Sequence, residues 1–192
     1  MKKDLILLML ISISLLLSCA LFDKGNDYVI DSNRMGDIQL CDKISDIIKG
    51  YTNVKHMRFE GDEGESWPGE KIMLDKKEWI LIEASWIDTT RIWRISTNSP
   101  KYTTVNGYKI GDKILKLKQN HEDISYYESE KGFSLNSESL SFGFSIDSKS
   151  TDDFYMSVNK FQPGADYLKF LDDNSTITEI IIAGNCNKQN FR

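Results

Sequence analysis

The side chains best suited to chemistry are two histidines, three cysteines and an acidic cluster. His56 and His121 each lack a second ligand at helical or hairpin spacing, whereas zinc needs three or four convergent ligands. The serines lack a Gly-x-Ser-x-Gly turn, and no phosphate-binding Gly-rich loop precedes a helix. We therefore predict no metal and no other cofactor. An enzyme of unrecognised type ranks below two kinds of binding protein.

The acidic cluster is segment 60–65, Glu60-Gly61-Asp62-Glu63-Gly64-Glu65, with Glu70 nearby. Its spacing does not match the EF-hand loop, and it lacks that loop's terminal bidentate Glu. The pattern favours a solvated hairpin tip. The alternatives are a calcium site and a negatively charged segment that attracts a basic partner.

Aromatic residues indicate a binding surface. Trp79, Trp86 and Trp93 fall on two adjacent predicted strands, and Arg91 and Arg94 accompany them. Trp and Arg supply much of the binding energy at protein interfaces. Trp86, Trp93, Arg91 and Arg94 predict a partner-binding patch, with tryptophans packed in the core as the alternative. Alternation along the first strand places Trp79, Leu81 and Glu83 on one face, and Ile80, Ile82, Ala84 and Trp86 on the other.

Segment 148–175 reads as an insertion in the second half of the chain. It carries Phe154 and Tyr155, and loops of this length in compact domains are often functional. We expect either a recognition element that includes these two aromatics or a cover over the sheet.

The N-terminus has the features of an export signal. Lys2 and Lys3 precede an apolar run that ends at Leu16-Leu17-Ser18-Cys19. A membrane-spanning helix needs about 20 apolar residues, more than this run supplies. The pattern resembles the lipobox of bacterial lipoproteins, which implies a signal peptide at 1–18, lipidation of Cys19 and a tether at 19–33. Ala20 then implies sorting to the outer membrane, facing the periplasm.

Two cysteines remain in such a protein, Cys41 and Cys186. An oxidising periplasm favours their pairing, but independent buried thiols fit the sequence as well. The net charge of −5 argues against nucleic-acid binding, because an acidic protein repels phosphate backbones. With 40% hydrophobic residues, the chain is too apolar to be disordered.

An internal repeat organises the remaining chain. Segment Leu40–Ile44 aligns with Ile110–Ile114, and each opens a short amphipathic helical pattern. Asp42 and Asp112 are candidate N-caps or first-turn anions. The helical patterns contain Ile44, Ile47 and Ile48 in the first copy and Ile114, Leu115 and Leu117 in the second. Chance similarity between two Lys- and Ile-rich segments is the alternative.

Predicted strands follow each helix in the same order. They are 54–60, 70–74, 78–87 and 91–97 in the first half, and 124–129, 132–135, 140–146 and 177–183 in the second. The sequence therefore predicts an α+β fold made of two tandem repeats, 34–99 and 100–192. Each repeat is a short helix followed by an antiparallel β-meander, and the two meanders can form one continuous sheet.

Segment 104–112, Thr104-Val105-Asn106-Gly107-Tyr108-Lys109-Ile110-Gly111-Asp112, together with the helix and meander after it, resembles a repeat of small bacterial lipoproteins. In outline, this unit is similar to the β-lactamase inhibitor protein and to the small lipoprotein of the outer-membrane β-barrel assembly machine. The resemblance implies a non-catalytic protein, anchored through lipidated Cys19, whose sheet binds another envelope protein. Envelope assembly, inhibition of a hydrolase and immunity against a toxin all fit this role. The alternative is a small-ligand or glycan binder that uses the tryptophan face.

Overall fold

The computed structural model describes residues 28–61, 64–85, 87–120, 124–129, 132–137, 143–146, 173–184 and 186. The predicted signal segment, Cys19, Trp86, Phe154 and Tyr155 lie outside these residues, as does most of the insertion 148–175. Within the described ranges, no helix has both the length and the apolarity needed to cross a membrane.

Two short helices and twelve strands make up the described fold. In chain order they are β1 Val29–Ile30, β2 Arg34–Met35, β3 Ile38–Gln39, α1 Ile44–Ile48, β4 Val54–Glu60, β5 Ser66–Met73, β6 Trp79–Ala84, β7 Ile92–Thr97, β8 Thr103–Thr104, α2 Ile114–Asn120, β9 Ile124–Ser129, β10 Gly132–Ser137, β11 Gly143–Ile146 and β12 Ile177–Ala183.

Eight of these strands form one sheet, in the order β4-β5-β6-β7-β12-β11-β10-β9. All its described pairs are antiparallel, and β7 joins β12 so that Thr97 lies opposite Ile180. Each helix is thus followed by a four-stranded meander, and the last strands of the two meanders meet at the centre. The predicted α+β fold with tandem meanders in one sheet is confirmed.

The backbone repeats as the sequence does. A residue with positive φ precedes each helix, Cys41 at 71° and Gly111 at 88°. Three hydrogen bonds then tie the segment before each helix to the start of its repeat's last strand. In the first repeat they run from Cys41 N–H to Ile92 O, from Ile92 N–H to Asp42 O and from Ile44 N–H to Thr90 O. In the second repeat the equivalent bonds run from Gly111 N–H to Ile177 O, from Ile177 N–H to Asp112 O and from Ile114 N–H to Ser175 O. Chance similarity would not reproduce this bonding pattern.

The small sheet was not predicted from the sequence. Its strand order is β3-β2-β1-β8, and β1 runs parallel to β8 of the second repeat. Ile30 is completely buried in it. The described fold accordingly starts at Tyr28, inside the segment 19–33 that the sequence assigned to a tether. Two-residue strands escaped prediction because their pairing, rather than any local period, defines them.

Both helices pack on one face of the large sheet. Ile44, Ile114 and Leu117 join a single core cluster with Ile72, Ile80, Ile82 and Ile95 of the sheet. Leu115 is 38% exposed, so its predicted place on the apolar face of α2 is wrong. It lies about 100° around the helix from Ile114, which already occupies that face.

The predicted capping by aspartates also differs from the structure. Lys43, rather than Asp42, is the N-cap of α1, and it makes no side-chain capping bond. The Asp112 carboxylate accepts the Lys109 N–H at 3.0 Å and pairs with Lys116 Nζ at 2.7 Å. The bonds to β7 and β12 hold the segment before each helix in place, and α1 begins without an Asp cap.

A disulfide joins Cys41 to Cys186. Their Cα atoms are 5.4 Å apart and their sequence separation is 145 residues. Cys41 occupies the position that Gly111 holds in the second repeat. A positive φ there costs conformational free energy for any residue with a Cβ. The bond therefore connects the start of the first repeat to the end of the second.

Candidate functional site

The sheet face opposite the helices carries the candidate site, and cross-strand register places its side chains in rows. Alternation and cross-strand register put Phe59, Trp67, Trp79 and Glu83 on this face, which we call the helix-free face because neither α1 nor α2 packs on it. One row crosses four strands through Met57, Gly69, Glu83 and Arg94, and the adjacent row pairs Phe59 with Trp67.

A buried ion pair lies at the centre of this half of the face. Glu83 is completely buried, and the Arg94 side chain is 21% exposed. Arg94 Nε donates to Glu83 Oε1 at 2.8 Å, and Arg94 Nη2 donates to Oε2. Trp67 Nε1 donates to the same carboxylate at 3.4 Å. Arg94, predicted to contact a partner, thus has its guanidinium bound within the protein.

Two aromatic rings lie beside this ion pair. Phe59 and Trp67 stack with ring centres 6.1 Å apart and an interplanar angle of 20°. Gly69 makes the arrangement possible, since a Cβ there would lie 2.4 Å from the Phe59 ring. The absence of a side chain at Gly69 lets the Phe59 ring lie over the β5 backbone, next to Glu83.

Two further tryptophans are half-buried and held by cations. Lys71 Nζ lies 4.5 Å from the centre of the Trp79 ring, and Arg94 Cζ lies 5.2 Å from that of Trp93. Trp93 is the extra residue of a β-bulge, because Glu83 pairs with Arg94 while Ala84 pairs with Ile92. These contacts fix the rings while part of each remains in solvent.

Arg91, the other arginine predicted to contact a partner, is also engaged internally. Its Nη1 donates to the Cys41 carbonyl at 2.8 Å, and its Nε lies 3.6 Å from Asp88 Oδ2. Hydrogen bonds from the Thr90 hydroxyl and N–H, aided by the Arg91 charge, hold the pKa of Asp88 below its usual range. Arg91 therefore stabilises the turn before β7 rather than the helix-free face.

The predicted hairpin tip joins β4 and β5. Gly61 N–H bonds to Glu65 O at 2.8 Å, and Gly64 adopts a positive φ. Glu70 is not part of the tip. It lies within β5 and is nearly buried, with Oε1 2.9 Å from His56 Nδ1. In the part of the chain that the structure describes, no three His, Cys, Asp or Glu side chains are placed to hold a metal ion.

Sequence reasoning missed Phe59, Trp67 and Gly69 as members of this surface. The signal was present, since Met57 and Phe59 alternate with His56 and Arg58 along β4. Only the pairing with β5 shows that Phe59 lies opposite Trp67 and that its ring lies over Gly69.

Comparison with known proteins identifies the fold alone. No family model matches the chain, and no curated protein matches it. The crystal structure of the uncharacterized protein YfeY from Escherichia coli is similar in fold, with a TM-score of 0.57 at 12% sequence identity. The match covers 81% of this chain and 99% of YfeY.

Proposed function

We propose that this chain is a lipid-anchored, non-catalytic protein of the bacterial envelope that binds another protein through the helix-free face of β4–β7. One observation supports this proposal above the others. Phe59, Trp67, Trp79 and Trp93 are all partly exposed, and each ring is held by a stacked ring or a cation. We call these four residues the aromatic surface.

Pre-organised aromatic rings suit protein recognition. Trp and Phe offer large contact areas, and rings that are already fixed lose little conformational freedom on binding. Met57, which is 38% exposed, extends the same face toward the β4 edge. The buried Glu83–Arg94 pair carries no net charge, so it supports the rings without making the face strongly charged.

The anchor proposal rests on the N-terminal sequence, and it has a direct test. Wild-type protein should enter the detergent phase on phase separation, whereas Cys19→Ala should remain aqueous or keep its signal peptide. Acyl chains contribute about 0.8 kcal/mol per buried CH₂, so two or three chains make the difference nearly complete. Wild-type protein found in the aqueous phase with an intact N-terminus would reject the anchor.

The binding surface can be tested on a partner captured by cross-linking from solubilised envelopes. We expect Trp79→Ala and Trp93→Ala each to weaken binding by at least about 2 kcal/mol, or about 30-fold, as for interface hot spots. Tyr28→Ala is the matched control, because Tyr28 is a half-exposed aromatic outside the large sheet, just before β1. It should leave the dissociation constant unchanged.

Thermal unfolding of the same variants separates binding from stability. If each Trp variant loses affinity in proportion to its lost stability, the tryptophans are structural and the proposed surface is wrong. A thermal shift induced by a glycan or small molecule, with no protein partner found, would instead favour the ligand-binding alternative.

A further inference from the structure

The first strand leaves the N-terminus at a defined end of the molecule. β1 is held on both sides, by β2 and by β8, and Thr103 N–H bonds to Tyr28 O at 2.9 Å. The Tyr28 and Tyr102 rings meet edge to face, with centres 5.3 Å apart. Any attachment at Cys19 therefore acts on the fold through Tyr28.

The connection between Cys19 and Tyr28 is short. Eight residues separate them in the sequence, and nine backbone steps reach at most about 30 Å. A compact domain of this size is roughly 40 Å across. The tether is therefore too short to let the domain turn freely above a membrane.

Exposed lysines surround this end of the molecule. Asn98 Nδ2 bonds to Lys77 O, and Asn98 Oδ1 accepts the Trp79 N–H, so the β5–β6 turn lies beside the chain that leads to Tyr102. The backbone of Lys109 forms an isolated β-bridge with Thr103, and that of Lys113 forms one with Thr176, just before β12. We call Tyr28, Lys76, Lys77, Lys101, Lys109 and Lys113 the basal surface; all six are exposed.

Carboxylates at the same end have partners within the protein. Asp75 accepts the N–H groups of Glu78 and Lys77, and these bonds lower its pKa. Glu78 accepts the Ser99 hydroxyl at 2.6 Å and pairs with Lys101 Nζ at 3.2 Å. Asp37 accepts the Tyr51 hydroxyl at 3.2 Å. These three carboxylates keep their charge, but the five lysines of the basal surface outnumber them.

The acidic hairpin tip lies at the opposite end of the sheet. β5 runs eight residues from Ser66 beside the tip to Met73 at the basal end, a distance of about 24 Å. Segment 60–65 carries four carboxylates. These four carboxylates therefore lie at the end of the strands opposite the basal surface.

We propose that the basal surface lies against the anionic lipid headgroups of the membrane that holds the anchor. This inference rests on the proposed lipidation of Cys19. The short tether brings that end to the bilayer, lysine ammonium groups are attracted to anionic headgroups, and Tyr28 offers an amphipathic ring suited to the interface. The acidic tip and the Phe59–Trp67 stack then point away from the membrane, toward a partner.

Lysine acylation on vesicles tests the orientation. Lipidated full-length protein is reconstituted into phosphatidylcholine vesicles with or without phosphatidylglycerol and exposed to a water-soluble acylating reagent, and each lysine is followed by mass spectrometry. Phosphatidylglycerol should slow acylation of Lys76, Lys77 and Lys109 by about fivefold or more, the effect of one lysine at an anionic surface. Lys43 is exposed beside the start of β7, and its acylation rate should be the same on both kinds of vesicle.

A pair of charge variants provides the matched control. Lys77→Glu/Lys109→Glu should abolish the protection of Lys76, whereas Lys43→Glu/Arg58→Glu makes the same charge change at the far end and should preserve it. Protein that floats with the vesicles but shows uniform acylation would overturn the orientation alone. Protein that fails to float would overturn the anchor and this inference together.

Discussion

Loss of the Cys41–Cys186 disulfide is expected to lower the free energy of unfolding by about 4–5 kcal/mol, measured by denaturant titration of Cys41→Ala/Cys186→Ala. The bond closes a loop with a sequence separation of 145 residues. In the chain-entropy model, a loop of that length restricts the unfolded chain by about 5 kcal/mol. The experiment needs a background without Cys19, so that no third thiol exchanges with the pair.

Cys41→Gly/Cys186→Ala provides the control for the backbone at this position. Cys41 has a φ of 71°, and its counterpart in the second repeat is Gly111. Glycine adopts this conformation readily, whereas an L-residue pays about 1–2 kcal/mol. The Gly variant should therefore recover about 1 kcal/mol or more relative to the Ala variant. Equal stability of the two variants would contradict the assigned conformation, and unchanged stability of both would contradict the disulfide.

Arg94→Leu is expected to cost about 3–5 kcal/mol of stability, because it leaves the buried Glu83 carboxylate without its cation. Glu83 is completely buried and receives two bonds from the Arg94 guanidinium. The double variant Glu83→Leu/Arg94→Leu should regain much of this loss, since an apolar pair needs no charge compensation. Chemical denaturation of Arg94→Leu, Glu83→Leu and the double variant measures the coupling free energy between the two side chains.

Arg34→Leu serves as the exposed counterpart. Arg34 pairs with Asp31 at 3.0 Å, and their side chains are 42% and 32% exposed. An exposed pair contributes about 0–1 kcal/mol, so this variant should remain close to wild type. An equally small effect of Arg94→Leu would show that water reaches Glu83, and the rings beside it would then be less firmly held than the structure indicates.

Strand prediction succeeded where local patterns were strong. β4, β9 and β12 have the bounds expected from their apolar and β-branched runs. β6 ends at Ala84 rather than Ile87, which is 63% exposed. The sequence continues to look β-like there, but the chain leaves the sheet for the Asp88 turn. A local pattern does not report where a pairing partner ends.

Two features of the helix-free face depended on neighbouring strands. Alternation separates Leu81 and Glu83 from the face of Ile80 and Ile82, yet all four are buried in the structure, between strands β5 and β7. Arg91 and Arg94 read as exposed binding residues in the sequence, whereas the fold directs them to the Cys41 carbonyl and to Glu83. Sequence spacing carries no information about partners that lie many residues away.

The sequence by itself determined the two helices, the order of the strands of the large sheet, the duplication, and which residues alternate along each of those strands. These properties are local, since helical and strand periods are read over a few neighbouring residues. Only the tertiary structure decided that β7 meets β12, that Cys41 reaches Cys186, and that Phe59 lies over Gly69 beside a buried ion pair. Each of these contacts joins separate strands or segments, so each depends on sheet register and chain reversal rather than on local preference.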